Sequence, residues 1–174
     1  MKRKINVWEY APQILDELAK GVLLTAKADG QVNSMAIGWG TMGIEWQKPI
    51  FVAYVRQSRY TKALRDKNPE FTVNVPMGAY DKNIMRVCGF ESGRVVDKVQ
   101  KLHLTLEDGE TVSVPGIKEL PLTIECKVLY QQDQDLSLLE NGRRNRCYKP
   151  GTPDETDFHT AYYGEITAAY ILED

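Results

Sequence analysis

VLLTAKADGQVNSMAIGWGTM, residues 22–42, holds two strand-like runs hinged on Asp29-Gly30. An Asp-Gly pair tolerates the positive φ angles of a type I′ turn, so 22–28 and 31–42 are predicted to form a hairpin. The chain on either side continues in the same style. PIFVAYV (49–55) is an apolar strand, and EFTVNVP (70–76) alternates Phe71, Val73 and Val75 on one face. LTIECKVLYQQ (122–132) and HTAYYGEITAAYIL (159–172) are the last long strands. LHLTLEDGETVSV (102–114) alternates Leu102, Leu104, Leu106, Val112 and Val114, with EDGE at the tip of a second predicted hairpin. Helices are few. Residues 12–20 carry a stripe of Ile14, Leu15, Leu18 and Ala19 between Pro12, a first-turn residue, and Gly21, a stop. A short helix follows Arg59 and ends before Asn68-Pro69, and AYDKNIMRVCG gives another that ends near Gly89. About seven or eight strands without a βαβ rhythm predict a mainly β fold, an antiparallel sheet closed into a barrel with short helices at its ends.

At 174 residues the chain suits one domain, 1–174, with a core that needs neither disulfide nor structural metal. A formal net charge of -2 gives no general attraction to nucleic acid or anionic membranes. MKRKINVWEY is basic but lacks an apolar run of signal-peptide length, and no window has the composition of a transmembrane helix, so a cytoplasmic protein is expected. Cys88, Cys126 and Cys147 are odd in number and form no CxxC pair; they read as free thiols, not as a disulfide framework or zinc site.

Chemistry enters at YVRQSRYTKALRD, 54–66, where a strand ending near Arg56 gives way to a helix beginning near Tyr60 or Thr61. A helix start offers unpaired NH groups and the positive end of the dipole, both suited to phosphate. Arg56 and Arg59 add forked donors, and Ser58 and Thr61 add hydroxyls or caps. The alternative is a capped surface helix with two solvated arginines. No GxxxxGK[ST] run is present, which excludes a P-loop.

In NSMAIGWGTMGIEW, Gly38 and Gly40 bracket Trp39, and glycine within a strand marks a bulge or close approach by a ligand. Trp39 can pack beside a flat ring whose edge bonds to Asn33, Ser34 and Thr41; the alternative is a core tryptophan. His103 and His159, the two histidines, have no carboxylate spacing that makes a metal site. His103 reads as solvated in a hairpin strand, and His159 opens the last strand beside the polar loop NGRRNRCYKPGTPDETD, in either a site or a surface role. Lys98, after SGRVVD, reads by itself as a solvated lysine, and Arg143, Arg144 and Arg146 read as a flexible solvated loop. GxSxG, HExxH and SxxK are absent.

NSMAIGWGTMGIEWQKP, YVRQSRYT, EFTVNVP, SGRVVDK, IECKV and HTAYYGEI, in this order and spacing, resemble the flavin reductase-like family, and its flavoredoxin branch in particular. The resemblance runs from about residue 20 to 172. It implies a split β-barrel homodimer that holds FMN near the subunit interface. By the same resemblance, Ser58, Arg59 and Thr61 match the phosphate-binding turn, with Arg56 close by. Asn33, Trp39 and Thr41, with Ser34 and Gly40 between them, match positions along the isoalloxazine ring and ribityl chain. Asn74 matches on the neighbouring strand, Lys98 matches the lysine of the GR..DK segment, and His159 matches a histidine that approaches the flavin from the partner subunit. The implied activity is transfer of reducing equivalents from NADH or NADPH through FMN to flavin, a metal chelate or another acceptor. A flavoredoxin-type carrier between protein partners and a non-redox binding module for a phosphorylated ligand are the alternatives. Residues 133–158 are the least family-like part.

Overall fold

The computed structural model describes residues 1–173. In chain order the elements are β1 (Lys2–Lys4), α1 (Ala11–Lys20), β2 (Val22–Ala28), β3 (Gln31–Ile37), β4 (Gly40–Glu45), β5 (Lys48–Arg56), α2 (Tyr60–Lys67) and β6 (Glu70–Val75). They continue with α3 (Lys82–Phe90), α4 (Lys98–Lys101), β7 (Leu106–Glu107), β8 (Gly116–Ile117), β9 (Leu122–Asp133), α5 (Asn141–Cys147) and β10 (His159–Leu172).

One antiparallel sheet runs β3-β2-β6-β9-β10-β5-β4, with β1 added along β10. The Asp29-Gly30 turn joins β2 to β3 as expected, with positive φ at both residues and Ala28 opposite Gln31. β3 and β4 stand at opposite ends of the strand order, yet only Gly38 and Trp39 separate them in sequence. Laid flat, seven strands would hold their outer members roughly 29 Å apart, whereas the three Cα steps from Ile37 to Gly40 span at most about 11 Å. The sheet must therefore curl until its ends meet. The result is a split barrel whose seam is crossed by the chain itself.

Curvature is concentrated in β10, where the register against β9 shifts between Tyr163 and Gly164 and again between Ile166 and Ala168. A Cβ at Gly164 would lie 2.7 Å from Phe71 Cζ and 2.8 Å from Cys126 Cβ, so only glycine fits that close approach. Inside the barrel Leu24, Phe51, Phe71, Val73, Ile124 and Tyr162 are buried, and α1 adds Ile14 and Leu18. Outside it, Ile84 and Cys88 of α3 pack on Leu23, Ile117 and Leu120; Leu64 of α2 instead covers Ala26 and Ala28, which share the inner face of β2 with Leu24.

Four sequence expectations are corrected. The run 31–42 is not one strand, because the seam at Gly38-Trp39 divides it. The hairpin expected over 102–114 does not form. Instead the main-chain NH groups of Glu110 and Thr111 turn to the buried Glu125 carboxylate at 2.7 Å each, with the Thr111 hydroxyl at 2.7 Å and the Tyr170 hydroxyl at 2.8 Å. Satisfying a buried charge outweighs a two-stranded ladder on the surface; only Leu106–Glu107 pairs, with Gly116–Ile117. His103 is exposed as expected, but it follows α4 with φ 51° and is in no strand. Finally, Arg143, Arg144 and Arg146 lie on α5, whose start is capped by Glu140, accepting from the NH groups of Gly142 and Arg143.

Candidate functional site

A hollow of about 250 Å³ opens between β3, the start of α2 and residues 88–93, lined by Asn33, Arg59, Tyr60, Thr61, Gly93 and Lys98 among others. A second, of about 190 Å³, shares Met35, Ala36 and Arg59 with it and reaches Trp39, Tyr54, Arg56 and His159. The two make one cleft, from the α2 start along β3 to the barrel seam.

At the α2 end the turn closes with Arg59 NH donating to the Arg56 carbonyl at 3.2 Å and Lys62 NH donating to the Arg59 carbonyl at 3.1 Å. Arg59 is the cap residue and no side chain bonds to the helix start, so neither Ser58 nor Thr61 is the cap that the sequence suggested. The amides of Tyr60 and Thr61 are left for an external acceptor. The Thr61 side chain is committed elsewhere: it is buried, and its Oγ1 accepts from Asn33 Nδ2 at 2.8 Å, tying β3 to α2. Arg59 is exposed and engages no carboxylate among the described residues. Arg56 and Ser58 are differently placed. Asp157 accepts from Ser58 N at 2.9 Å and from Ser58 Oγ at 2.6 Å. Arg56 donates to the Cys147 carbonyl at 3.0 Å and lies 3.4 Å from Asp154 and 3.9 Å from Asp157. These two residues anchor the 147–157 segment to the turn.

Lys98, expected to be solvated when read alone, is 4% exposed. Its ammonium donates to the carbonyls of Ser34 at 2.9 Å and Cys88 at 3.2 Å and has no carboxylate partner. Burial pulls its pKa down, and Arg59 adds to that. Gly93 closes the same corner: a Cβ there would run into Asn33 Oδ1 and lie 2.7 Å from Tyr60 Cδ1.

At the seam Trp39 is 46% exposed and its indole faces the His159 ring, centroids 4.8 Å apart and tilted by 37°. His159 Nδ1 is 2.5 Å from the Tyr148 hydroxyl, which donates to Gln134 Oε1 at 3.2 Å. That assignment makes Nδ1 the protonated nitrogen of a neutral imidazole. Burial, with Arg56 next in weight, pushes the His159 pKa down to about 4. His159 lines the cleft of its own chain.

Four expected residues are not brought to the cleft by their side chains. Ser34 turns its hydroxyl to Thr25 Oγ1 at 2.8 Å and contributes only its carbonyl, to Lys98. Gly40 is forced by the core, since a Cβ there would meet Leu18 Cδ2 and Phe51 Cζ at 3.1 Å. Thr41 lies on the far side of the seam, in a hollow with Ile44, Tyr54 and Tyr163. Asn74 is fully buried under the 115–120 segment and donates to Thr123 Oγ1 at 3.0 Å. Strand alternation places its side chain among the outward-facing Thr72 and Thr123, away from β3. Gly93, Tyr148 and Asp157 were not singled out from sequence; the turn pair Ser92-Gly93 was the available signal for the first, and nothing local marks the other two.

The cleft thus offers two free amides and an unpaired guanidinium at one end, a buried ammonium at its floor and an indole with a neutral imidazole at the other. A phosphate ester with a flat, hydrogen-bonding ring fits this donor set. An acid-base or nucleophilic triad is not assembled there.

Comparison with known proteins gives the same direction. The model of the family described as flavin reductase like domain matches residues 16–174. An uncharacterised protein of Archaeoglobus fulgidus is 30% identical over 127 residues, 70% of this chain and 71% of its own. Among solved structures, a flavoredoxin from Methanosarcina acetivorans is 30% identical, with a TM-score of 0.64, covering 88% of this chain and 68% of that one. The flavoredoxin of Desulfovibrio vulgaris (Miyazaki F) is 26% identical, with a TM-score of 0.66 and coverage of 88% and 69%.

Proposed function

Because the chain belongs to the flavin reductase-like domain family, we propose that it binds FMN in the β3 cleft and acts as an oxidoreductase of the flavin reductase type. In this reading it takes reducing equivalents from NADH or NADPH and delivers them to free flavin, a metal chelate or another acceptor. The observation that carries it is the start of α2, whose Tyr60 and Thr61 amides and Arg59 guanidinium are left for an external acceptor, set on one cleft with the buried Lys98. FMN supplies the hydride and electron chemistry; the chain binds, orients and tunes it.

Arg59 and the Tyr60 and Thr61 amides hold the phosphate. Asn33, fixed by Thr61, sets the cleft's width at β3. The Lys98 ammonium favours the negative charge that a flavin gains on reduction. Trp39 and His159 form the wall at the seam, and the imidazole stays neutral there. The molecule works as a cytoplasmic homodimer in this proposal, which needs neither nucleic acid nor membrane; among the described residues no helix is long and apolar enough to cross a bilayer.

A flavoredoxin-type carrier is the second reading, favoured by the two flavoredoxin structures above. Anaerobic mixing of the FMN-loaded protein with NADH and with NADPH separates them. Bleaching of the flavin absorbance within seconds supports the reductase. Colour that persists until a reduced electron-transfer protein is added supports the carrier, and failure of the protein to take up FMN defeats both.

A further inference from the structure

Beside the cleft, and sharing Trp39 with it, lies a larger hollow of about 560 Å³ whose other walls come from residues 134–148. Leu136, Leu138 and Leu139 make one side, Trp39 and Tyr148 the aromatic side, and Arg143 is the cation at its edge. We propose that this hollow is the binding site for the acceptor, a flat aromatic molecule carrying a carboxylate or similar anionic group, with its ring beside Trp39 and Tyr148 and its charge on Arg143. This deepens the oxidoreductase reading and rests on it for the word acceptor, but the binding claim stands on the cavity alone.

Three observations carry it. The volume lies within the range of small-molecule pockets and is more than twice that of either part of the cleft. Leu138 is 84% exposed and Trp39 46%, an apolar surface that water solvates poorly and that a flat ring would cover. The charges around it are already spoken for, with one exception. Asp135 accepts from Ser137 N at 2.9 Å and Ser137 Oγ at 2.6 Å, and Arg144 donates to Asn141 Oδ1 at 2.9 Å. The Arg143 guanidinium has no hydrogen bond or salt bridge among the described residues, although its backbone NH serves the Glu140 cap. Its charge also acts on the Glu140 carboxylate, but a guanidinium with its donors unused on an apolar and aromatic pocket selects for an anion on a ring. The pocket is also coupled to the cleft physically, because Tyr148 lines it while bonding His159, which lines the cleft.

The test uses three probes, 2-naphthoate, 2-naphthylmethanol and cyclohexanecarboxylate, titrated calorimetrically into the FMN-treated full chain and its Arg143→Gln and Leu139→Asp variants. FMN retention and thermal unfolding are followed in parallel. Naphthoate binding at least tenfold tighter than either analogue, with its advantage over the alcohol lost in Arg143→Gln and all binding lost in Leu139→Asp, is the expected result. Absence of saturable naphthoate binding in a folded, FMN-loaded protein overturns the proposal, as does naphthoate binding that Arg143→Gln leaves unchanged. If FMN is not retained while naphthoate binds as described, the oxidoreductase reading fails and the pocket stands. Should Leu139→Asp not fold, Arg143→Gln, on an exposed side chain, still decides.

Discussion

Lys98 shows what one side chain is asked to do. Its ammonium is buried against two carbonyls with no counter-ion, a placement that costs desolvation energy and therefore favours any nearby negative charge. Lys98→Met should lower the reduction potential of bound FMN and weaken binding of the reduced form about tenfold, roughly 1.4 kcal/mol, measured by anaerobic redox titration. Unchanged potential and affinity would remove Lys98 from the site. The same substitution leaves the carbonyls of Ser34 and Cys88 without a donor, so the urea midpoint should also fall, by about 1–3 kcal/mol of stability. His159 gives a pH signature. Its folded pKa of about 4 lies below its ordinary value near 6.5, so the unfolded chain binds more protons between those limits. Stability should thus rise with pH across this window and be lost as pH falls from about 6.5 toward 4, by up to about 3 kcal/mol. His159→Gln should flatten that slope in urea titrations at pH 4.5 and 7; an equal slope in the variant would assign the acid sensitivity elsewhere.

Among the elements, the turn from β5 into α2 is where anions compete. Asp157 already occupies the Ser58 hydroxyl and amide, leaving a phosphate the donors one residue further along. Asp157→Ala removes a carboxylate next to that position and frees Ser58, so FMN should bind several-fold more tightly, read by flavin fluorescence quenching; weaker binding would show instead that Asp157 holds the turn in shape. The sequence made this turn legible because strand, arginines and helix start are contiguous. It could not show Asp157, which arrives from 99 residues away. Residue types also misled where the answer lay in pairing. The alternation of 102–114 is real, and Leu104, Val112 and Val114 are buried, but their burial is under a segment pinned by Glu125, not in a ladder. The β4–β5 turn went unread for the opposite reason: Trp46 and Gln47 adopt φ 51° and 54° in a two-residue connection without the glycine or asparagine that usually announces one.

For the molecule as a whole, the short strands and turn chemistry were enough to expect an antiparallel barrel, since period-two patterns survive whatever the topology. The order of the strands was not readable, nor was the seam, because both depend on contacts between distant segments. The seam also explains part of the pattern at the site: Asn33 of β3 and Trp39 at the seam line the cleft, whereas beyond it Gly40 meets the core and Thr41 lines a separate hollow. Curling depends on Gly164, and Gly164→Ala should cost about 1–3 kcal/mol through overpacking against Phe71 and Cys126, seen as a lower urea midpoint; wild-type stability in that variant would place the curvature elsewhere.

β10 lies between β9 and β5 and carries β1 at its far end, so three strands from widely separated parts of the chain depend on residues 159–172 for their hydrogen-bonding partner. During vectorial synthesis those partners emerge first and must wait, edges bare, until the keystone leaves the ribosome. Folding is for this reason committed late, and a nascent chain stalled short of that strand presents the very surfaces that holding chaperones bind.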